Sequence, residues 1–173
     1  MREIGPIIIN KGTVMAELDA GRIAPGFELP RAGGGTAKSA DYGGKPLVLF
    51  FFCKDGGEAC VNEAKDFSRL KSEFDALGVG VAGISPDGPA TKERFRARHG
   101  VTVDLLSDPT RETVADYGVW KEKSMYGRRY MGVERTTFLI DPAGRIARVW
   151  RKVRVAGHAQ EVLDAARTLA KAG

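Results

Sequence analysis

The chain holds two cysteines, Cys53 and Cys60, seven positions apart in FFFCKDGGEACVNEAKDF, Phe50 to Phe67. A thiolate is a nucleophile and a redox centre, whereas a buried thiol is only a small hydrophobe, so their surroundings decide which they are. Cys60 falls where a helix pattern begins. Unpaired backbone N–H groups and a partial positive charge gather at a helix start and favour an ionised sulfur. Cys53 closes an apolar run, at the carboxyl end of a predicted strand, which is the edge where ligands collect in open α/β sheets. Both positions suit a reactive pair, and both also suit a core thiol.

The elements that position them are readable. Val48 to Phe52 is a short continuous apolar run, introduced by Gly43, Gly44 and Pro46, and predicts a buried strand. Val61, Ala64, Phe67, Leu70, Phe74 and Leu77 recur at spacings of three and four and predict one helix stopped by Gly78. A strand over Val79–Ile84, a helix over Ala90–His99 with Phe95 inward, a strand at Asp104–Leu106 and a short helix over Thr110–Tyr117 follow. Thr136–Ile140 and Arg145–Trp150 predict two strands about the turn Asp141–Gly144, and a last helix runs over Ala159–Ala170. That alternation indicates α/β layers around a mixed sheet, parallel in its first half and antiparallel in the closing hairpin. Arg31 to Ser39, RAGGGTAKS, reads as a flexible Gly-rich turn; it lacks the Lys-Ser/Thr ending of a phosphate loop.

At 173 residues and 43% hydrophobic, the chain suits one globular domain, set at 21–173 behind a tail over 1–20, with Met15 as an alternative start. Leu47–Cys53 is strand-sized, so no membrane span is expected, and three isoleucines near the start are too few for a signal peptide. Two cysteines make no secreted disulfide framework, which points to a reducing cytoplasm. The net charge is +5, but the basic residues are scattered and no nucleic-acid motif accompanies them. In RIARVWRKVRV the cations interleave with Ile146, Val149, Val153 and Val155, as on a strand with one wet face at a guarded sheet edge. His99 and His158 are too remote to complete a metal site with two cysteines and read as helix-end residues.

Several stretches resemble the peroxiredoxins, specifically the bacterioferritin-comigratory-protein (PrxQ-like) branch of the AhpC/TSA family. They are APGFELP (Ala24–Pro30), DYGGKPLVLFFF (Asp41–Phe52), GISPD (Gly83–Asp87), LLSDP (Leu105–Pro109), YGVWKEKSMYGRRYMGVERTTFLIDPAGRI (Tyr117–Ile146) and KVRVAGHAQEVL (Lys152–Leu163). They run in family order over about Gly21 to Ala170. The resemblance implies a thioredoxin-like fold with an N-terminal hairpin. It implies a peroxidase that reduces hydrogen peroxide or organic hydroperoxides through a cysteine sulfenic acid, with no cofactor and with thioredoxin, glutaredoxin or a small thiol as reductant. A monomer or homodimer is expected, with no nucleic-acid or membrane partner. Carried over by position, Cys60 is the peroxidatic cysteine, Arg135 the arginine that binds peroxide and stabilises the thiolate, and Glu63 the carboxylate that holds the guanidinium.

The active-site loop departs from the family's Pro-x-x-x-Thr-x-x-Cys. In CKDGGEAC the proline position holds Cys53, and Gly57 stands at the threonine position, on the substrate side, without a hydroxyl. Glu58 replaces a proline and adds a negative charge, and Gly56 with Gly57 loosens the loop. Lys65 occupies the place of the branch's usual resolving cysteine, which leaves Cys53 as the candidate resolving thiol. Two other readings are a thioredoxin-like oxidoreductase or redox sensor, for which a CxxC is missing, and a scaffold with weakened or lost catalysis.

Overall fold

The computed structural model describes residues 18–53 and 57–172. The tail assigned to 1–20, apart from its last three residues, lies outside the described residues, as do Met15 and Gly56. In chain order the elements are β1 (Glu28–Pro30), β2 (Thr36–Lys38), a 3-10 turn (Ser39–Tyr42), β3 (Leu47–Phe51), α1 (Glu58–Arg69), α2 (Lys71–Ala76), β4 (Gly80–Ser85), α3 (Pro89–His99) and β5 (Asp104–Ser107). They continue with α4 (Glu112–Asp116), β6 (Trp120–Met125), β7 (Arg128–Val133), β8 (Thr136–Ile140), β9 (Ile146–Trp150) and α5 (His158–Ala172).

Five strands form the central sheet in the order β5-β4-β3-β8-β9. The first three are mutually parallel, and β8 and β9 run antiparallel, so the sheet is mixed as expected. Because strand side chains alternate, β3 feeds two cores. Val48, Phe50 and Phe52 pack with Phe67, Phe74, Val162 and Leu163 from the helices on one face. Leu47, Leu49 and Phe51 pack with Val114, Tyr117, Phe138 and Ile140 on the other. Gly83 is required by that packing, since a Cβ there would stand 2.5 Å from Phe50 Cζ.

Four features differ from the sequence expectation. The helix expected through Leu77 divides at Leu70, where the backbone takes φ −95°, ψ 5°. Leu70 stays buried, so the apolar spacing carries across the break and hides it. The Gly-rich stretch is a turn only in part: Thr36–Lys38 pairs with β1 as β2, and Ala37 is buried. The stretch Trp120–Val133, for which the sequence predicted no element, folds as the hairpin β6–β7, whose tip residues Tyr126 and Gly127 both have positive φ, as a tight hairpin turn requires. Most of its residues are exposed, so no apolar alternation announces it. Finally, β9 is an edge strand that ends at Trp150, as its expected bounds had it, but Val153 and Val155, read as continuing its alternation, lie beyond it.

Candidate active site

Three segments converge at the carboxyl end of β3. Pairing Phe51 with Thr136 brings residue 135, just before β8, to the end of the sheet where the chain leaves β3. The N–H of Phe52 donates to Ile84 O at 3.0 Å, which fixes the approach to Cys53. The N–H of Val153 donates to Arg135 O at 3.0 Å and holds the arginine backbone from the far side. Helix α1 starts over this end, with Gly57 as its N-cap and Cys60 in its first turn. Its first helical bond runs from Val61 N–H to Gly57 O, and the partial positive charge of a helix start favours negative charge in this first turn.

Arg135 bridges the two acids of that helix. Its Nη2 donates to Cys60 Sγ at 3.3 Å, and its Nη1 donates to Glu63 Oε1 at 2.7 Å. Residues three apart share a helix face, which lets one guanidinium reach both. The arrangement is secluded: Cys60 is 2% exposed and Glu63 1%. Burial alone lowers the arginine's pKa, but the Glu63 carboxylate and the Cys60 sulfur outweigh it and hold it above its ordinary value. Burial pushes Glu63 up to about 7, against the pull of Arg135 and with a smaller push from Cys60.

Cys53 Sγ lies 3.8 Å from Cys60 Sγ, and Cys53 is half-buried. The hydrogen bond to Cys60 raises the Cys53 thiol, burial adds to this, and Arg135 and Lys123 oppose it. The pair is therefore unequal: Cys60 has the Arg135 guanidinium at 3.3 Å, while the contact between the sulfurs, in which either can donate, and burial both push the Cys53 thiol up. Gly57 carries no group into the site, although a Cβ there would stand 3.8 Å from Cys60 Sγ. Glu58 is exposed on the first turn, so water and salt screen its charge.

Cys53, Cys60, Glu63, Arg135 and Gly57 are thus brought together. His158 lies at the start of α5, and His99 ends α3. His158 is more than a helix end: it is buried, hydrogen-bonded through Nε2 to Thr137 Oγ1 at 2.8 Å, and edge-on to Phe67 and Trp150. Burial pushes it down to about 4, so it is neutral at pH 7. Sequence reasoning missed Lys92, which is fully buried. Its ammonium stands 5.0 Å from the Phe52 ring centroid and donates to Ser85 Oγ, bracing the residue before Cys53. Its helix, PATKERFRARH, is so rich in charge that nothing marks one lysine as interior.

The sequence model of the AhpC/TSA family matches residues 20–149. Peroxiredoxin Bcp of Bacillus subtilis (strain 168) is 40% identical over 147 residues, covering 85% of this chain and 94% of that protein. Peroxiredoxin Bcp of Xanthomonas campestris pv. campestris is also 40% identical over 147 residues, covering 84% and 92%. Among solved structures, Xanthomonas campestris bacterioferritin comigratory protein, studied as trapped intermediate and ligand complexes for its alkyl peroxide reduction activity, superposes with a TM-score of 0.82. It is 36% identical and covers 88% of this chain and 99% of its own. A mutant of Xylella fastidiosa PrxQ gives a TM-score of 0.84 at 33% identity, covering 88% and 98%. The fold is therefore thioredoxin-like, as in these neighbours.

Proposed function

The chain belongs to the AhpC/TSA family and is a thiol-dependent peroxidase; we propose that Cys60 is its peroxidatic sulfur and that Cys53 resolves it. The observation that carries this reading is the forked guanidinium of Arg135, 3.3 Å from Cys60 Sγ and 2.7 Å from Glu63 Oε1. A cation and a helix start acting together keep a sulfur ionised at neutral pH. The thiolate attacks one peroxide oxygen, an S–O bond forms and the O–O bond breaks. The leaving oxygen takes a proton to become water or an alcohol. Arg135 hydrogen-bonds the oxygen on which charge develops.

Cys60 is then a sulfenic acid. Its anionic charge, which kept Cys53 protonated, is gone. The Cys53 thiolate attacks the Cys60 sulfur, and water leaves carrying the former Cys53 proton. A disulfide needs the sulfurs about 2.05 Å apart, so a 3.8 Å separation asks for an approach of about 1.8 Å. Half-exposed Cys53 is the sulfur a thiol reductant reaches, be it thioredoxin, glutaredoxin or a small thiol, and a reducing cytoplasm would supply one. The chain has no described helix long and apolar enough to cross a membrane.

Stopped-flow mixing with hydrogen peroxide tests the first role: Cys60→Ser should abolish consumption, and an unchanged rate would refute it. Mass spectrometry after one equivalent of peroxide tests the second. A 53–60 disulfide is expected, whereas a persistent sulfenic acid would reject resolution by Cys53.

A further inference from the structure

We propose that Glu63 is the proton store of the reaction: its Oε2 carries a proton while the Cys60 sulfur is anionic and gives it up once that sulfur is oxidised. The inference rests on Cys60 being the reacting sulfur. Two acids, Cys60 and Glu63, share one guanidinium, each taking one Nη of Arg135. Glu63 Oε1 takes the Arg135 bond, but Oε2 is buried and has no hydrogen-bond partner among the described residues. Among the described residues Arg135 is the cation that acts on Glu63, and a second buried anion beside Cys60 leaves an uncompensated charge, which is costly away from water. A proton on Oε2 removes that charge and leaves Oε1 free to accept from Arg135.

The groups facing Glu63 support a redox-linked change. On its own helix these are Cys60 and Asp66, both of which raise its pKa. Arg135 approaches from before β8 and lowers it. His158, packed on Phe67 of the same helix, is neutral. Cys53, from beyond β3, is held as a thiol. Of these groups, Cys60 is the one whose charge the reaction removes. Once it is neutral, Arg135 is undivided and Glu63 becomes the stronger acid.

The atoms balance. Cys60 thiolate, Glu63 carboxylic acid and hydrogen peroxide give Cys60 sulfenic acid, Glu63 carboxylate and one water. The S–O bond forms, the O–O bond breaks, sulfur is oxidised by two electrons, and no proton is drawn from solvent. Were Glu63 ionised throughout, the same step would take one proton from solvent per peroxide. Later attack by Cys53 releases water and leaves this count unchanged.

The test is a stopped-flow measurement of proton uptake with an indicator dye in weak buffer near pH 7. The full-length reduced protein and Glu63→Gln are each mixed with one equivalent of hydrogen peroxide, at a pH where alkylation shows Cys60 ionised in both. Peroxide consumption is recorded in the same mixing. Wild type should take up clearly less than one proton per peroxide, and Glu63→Gln close to one. Equal uptake by the two proteins, with peroxide consumed, overturns the proposal. Failure of wild type to consume peroxide overturns instead the assignment of Cys60. Should Glu63→Gln not fold, infrared difference spectra of wild type decide: a protonated-carboxyl band lost on oxidation supports the store, and an unchanged band overturns it.

Discussion

Restoring a hydroxyl at position 57 should speed the attack on peroxide, and the structure shows there is room for it. Gly57 has φ −70° and ψ 144°, extended backbone open to any residue. A Cβ there would meet Cys60 Sγ at 3.8 Å, an ordinary van der Waals contact, and nothing else among the described residues within 4 Å. A threonine hydroxyl one bond further out comes within hydrogen-bonding reach of the sulfur. A hydrogen bond to a charged group contributes about 1.5–3 kcal/mol, or about ten- to a hundredfold in rate if it is made mainly in the transition state. If it acts instead on the resting thiolate, the Cys60 pKa falls and the gain ends once the sulfur is fully ionised. Gly57→Thr should therefore be compared with Gly57→Val, which has the same branched shape and no hydroxyl. The assays are the second-order rate constant for hydrogen peroxide, by stopped flow, and the Cys60 pKa, by alkylation. Threonine should exceed valine by about tenfold or more in rate, or lower the pKa by about one unit. Equal behaviour of the two variants, with the helix intact, would show that no hydroxyl is missed at this site.

Removing the cation should act in the opposite direction. In a Cys53→Ser background, Arg135→Met should raise the Cys60 pKa by about 1–2 units, because it deletes a charge-assisted bond of about 1.5–3 kcal/mol. A bare Coulomb figure, about 5 kcal/mol at 3.3 Å and an effective dielectric of about 20, is an upper bound, since Glu63 draws on the same guanidinium. Alkylation rates against pH measure the shift, and an unmoved pKa would remove Arg135 from the thiolate's support. The buried acid and imidazole predict a compensated pH profile of stability. His158 is lowered from 6.5 to about 4, so the unfolded chain binds more protons between those values and stability rises with pH. Glu63 is raised from 4.5 to about 7, so the folded chain binds more protons there and stability falls with pH. Each effect is on the order of 3 kcal/mol, so they nearly cancel in wild type. In a Cys60→Ser background, which removes the opposite contribution of a thiol whose pKa is depressed on folding, His158→Asn should expose the decline between about pH 4.5 and 7 in urea unfolding, and a flat profile for that double variant would contradict the burial argument for Glu63.

The strands and helices around the site were legible because their side chains face one core or two. The run Val48–Phe52 is apolar without a break, as a strand buried on both faces must be, and it lies one residue later at each end than the observed β3, Leu47–Phe51. The helix of Cys60 was legible from its spacing, though its division at Leu70 was not, since a buried leucine serves either geometry. The β6–β7 hairpin was illegible for the opposite reason: largely exposed strands need no apolar alternation. Lys92 reads as one more cation on a charged helix, and only the packing of Phe52 and Ser85 around it reveals an interior position.

The site itself was legible unevenly. Cys53 and Cys60 are close in sequence, and their meeting at 3.8 Å follows from a strand end and a helix start facing each other across a short loop. Arg135 lies 75 residues beyond Cys60, and no periodicity links the two. What joins them is the antiparallel register of β3 and β8, a property of the folded sheet, so that partnership was reached through family resemblance alone. The proton inventory lies deeper still. A glutamate three residues after a cysteine, with an arginine far along the chain, reads on paper as two anions and a cation. Whether the second anion exists depends on how completely Glu63 is cut off from water and on whether its outer oxygen finds a donor. At 1% exposure, with Oε2 unpaired among the described residues, the cost of a second charge falls on the carboxyl group, while Cys60 has the guanidinium and the helix start in its favour. With the guanidinium and the helix start favouring charge on the sulfur, the same seclusion argues that its neighbour is protonated, which is why the reactivity of Cys60 and the proton count of the reaction should change together when residue 63 is altered.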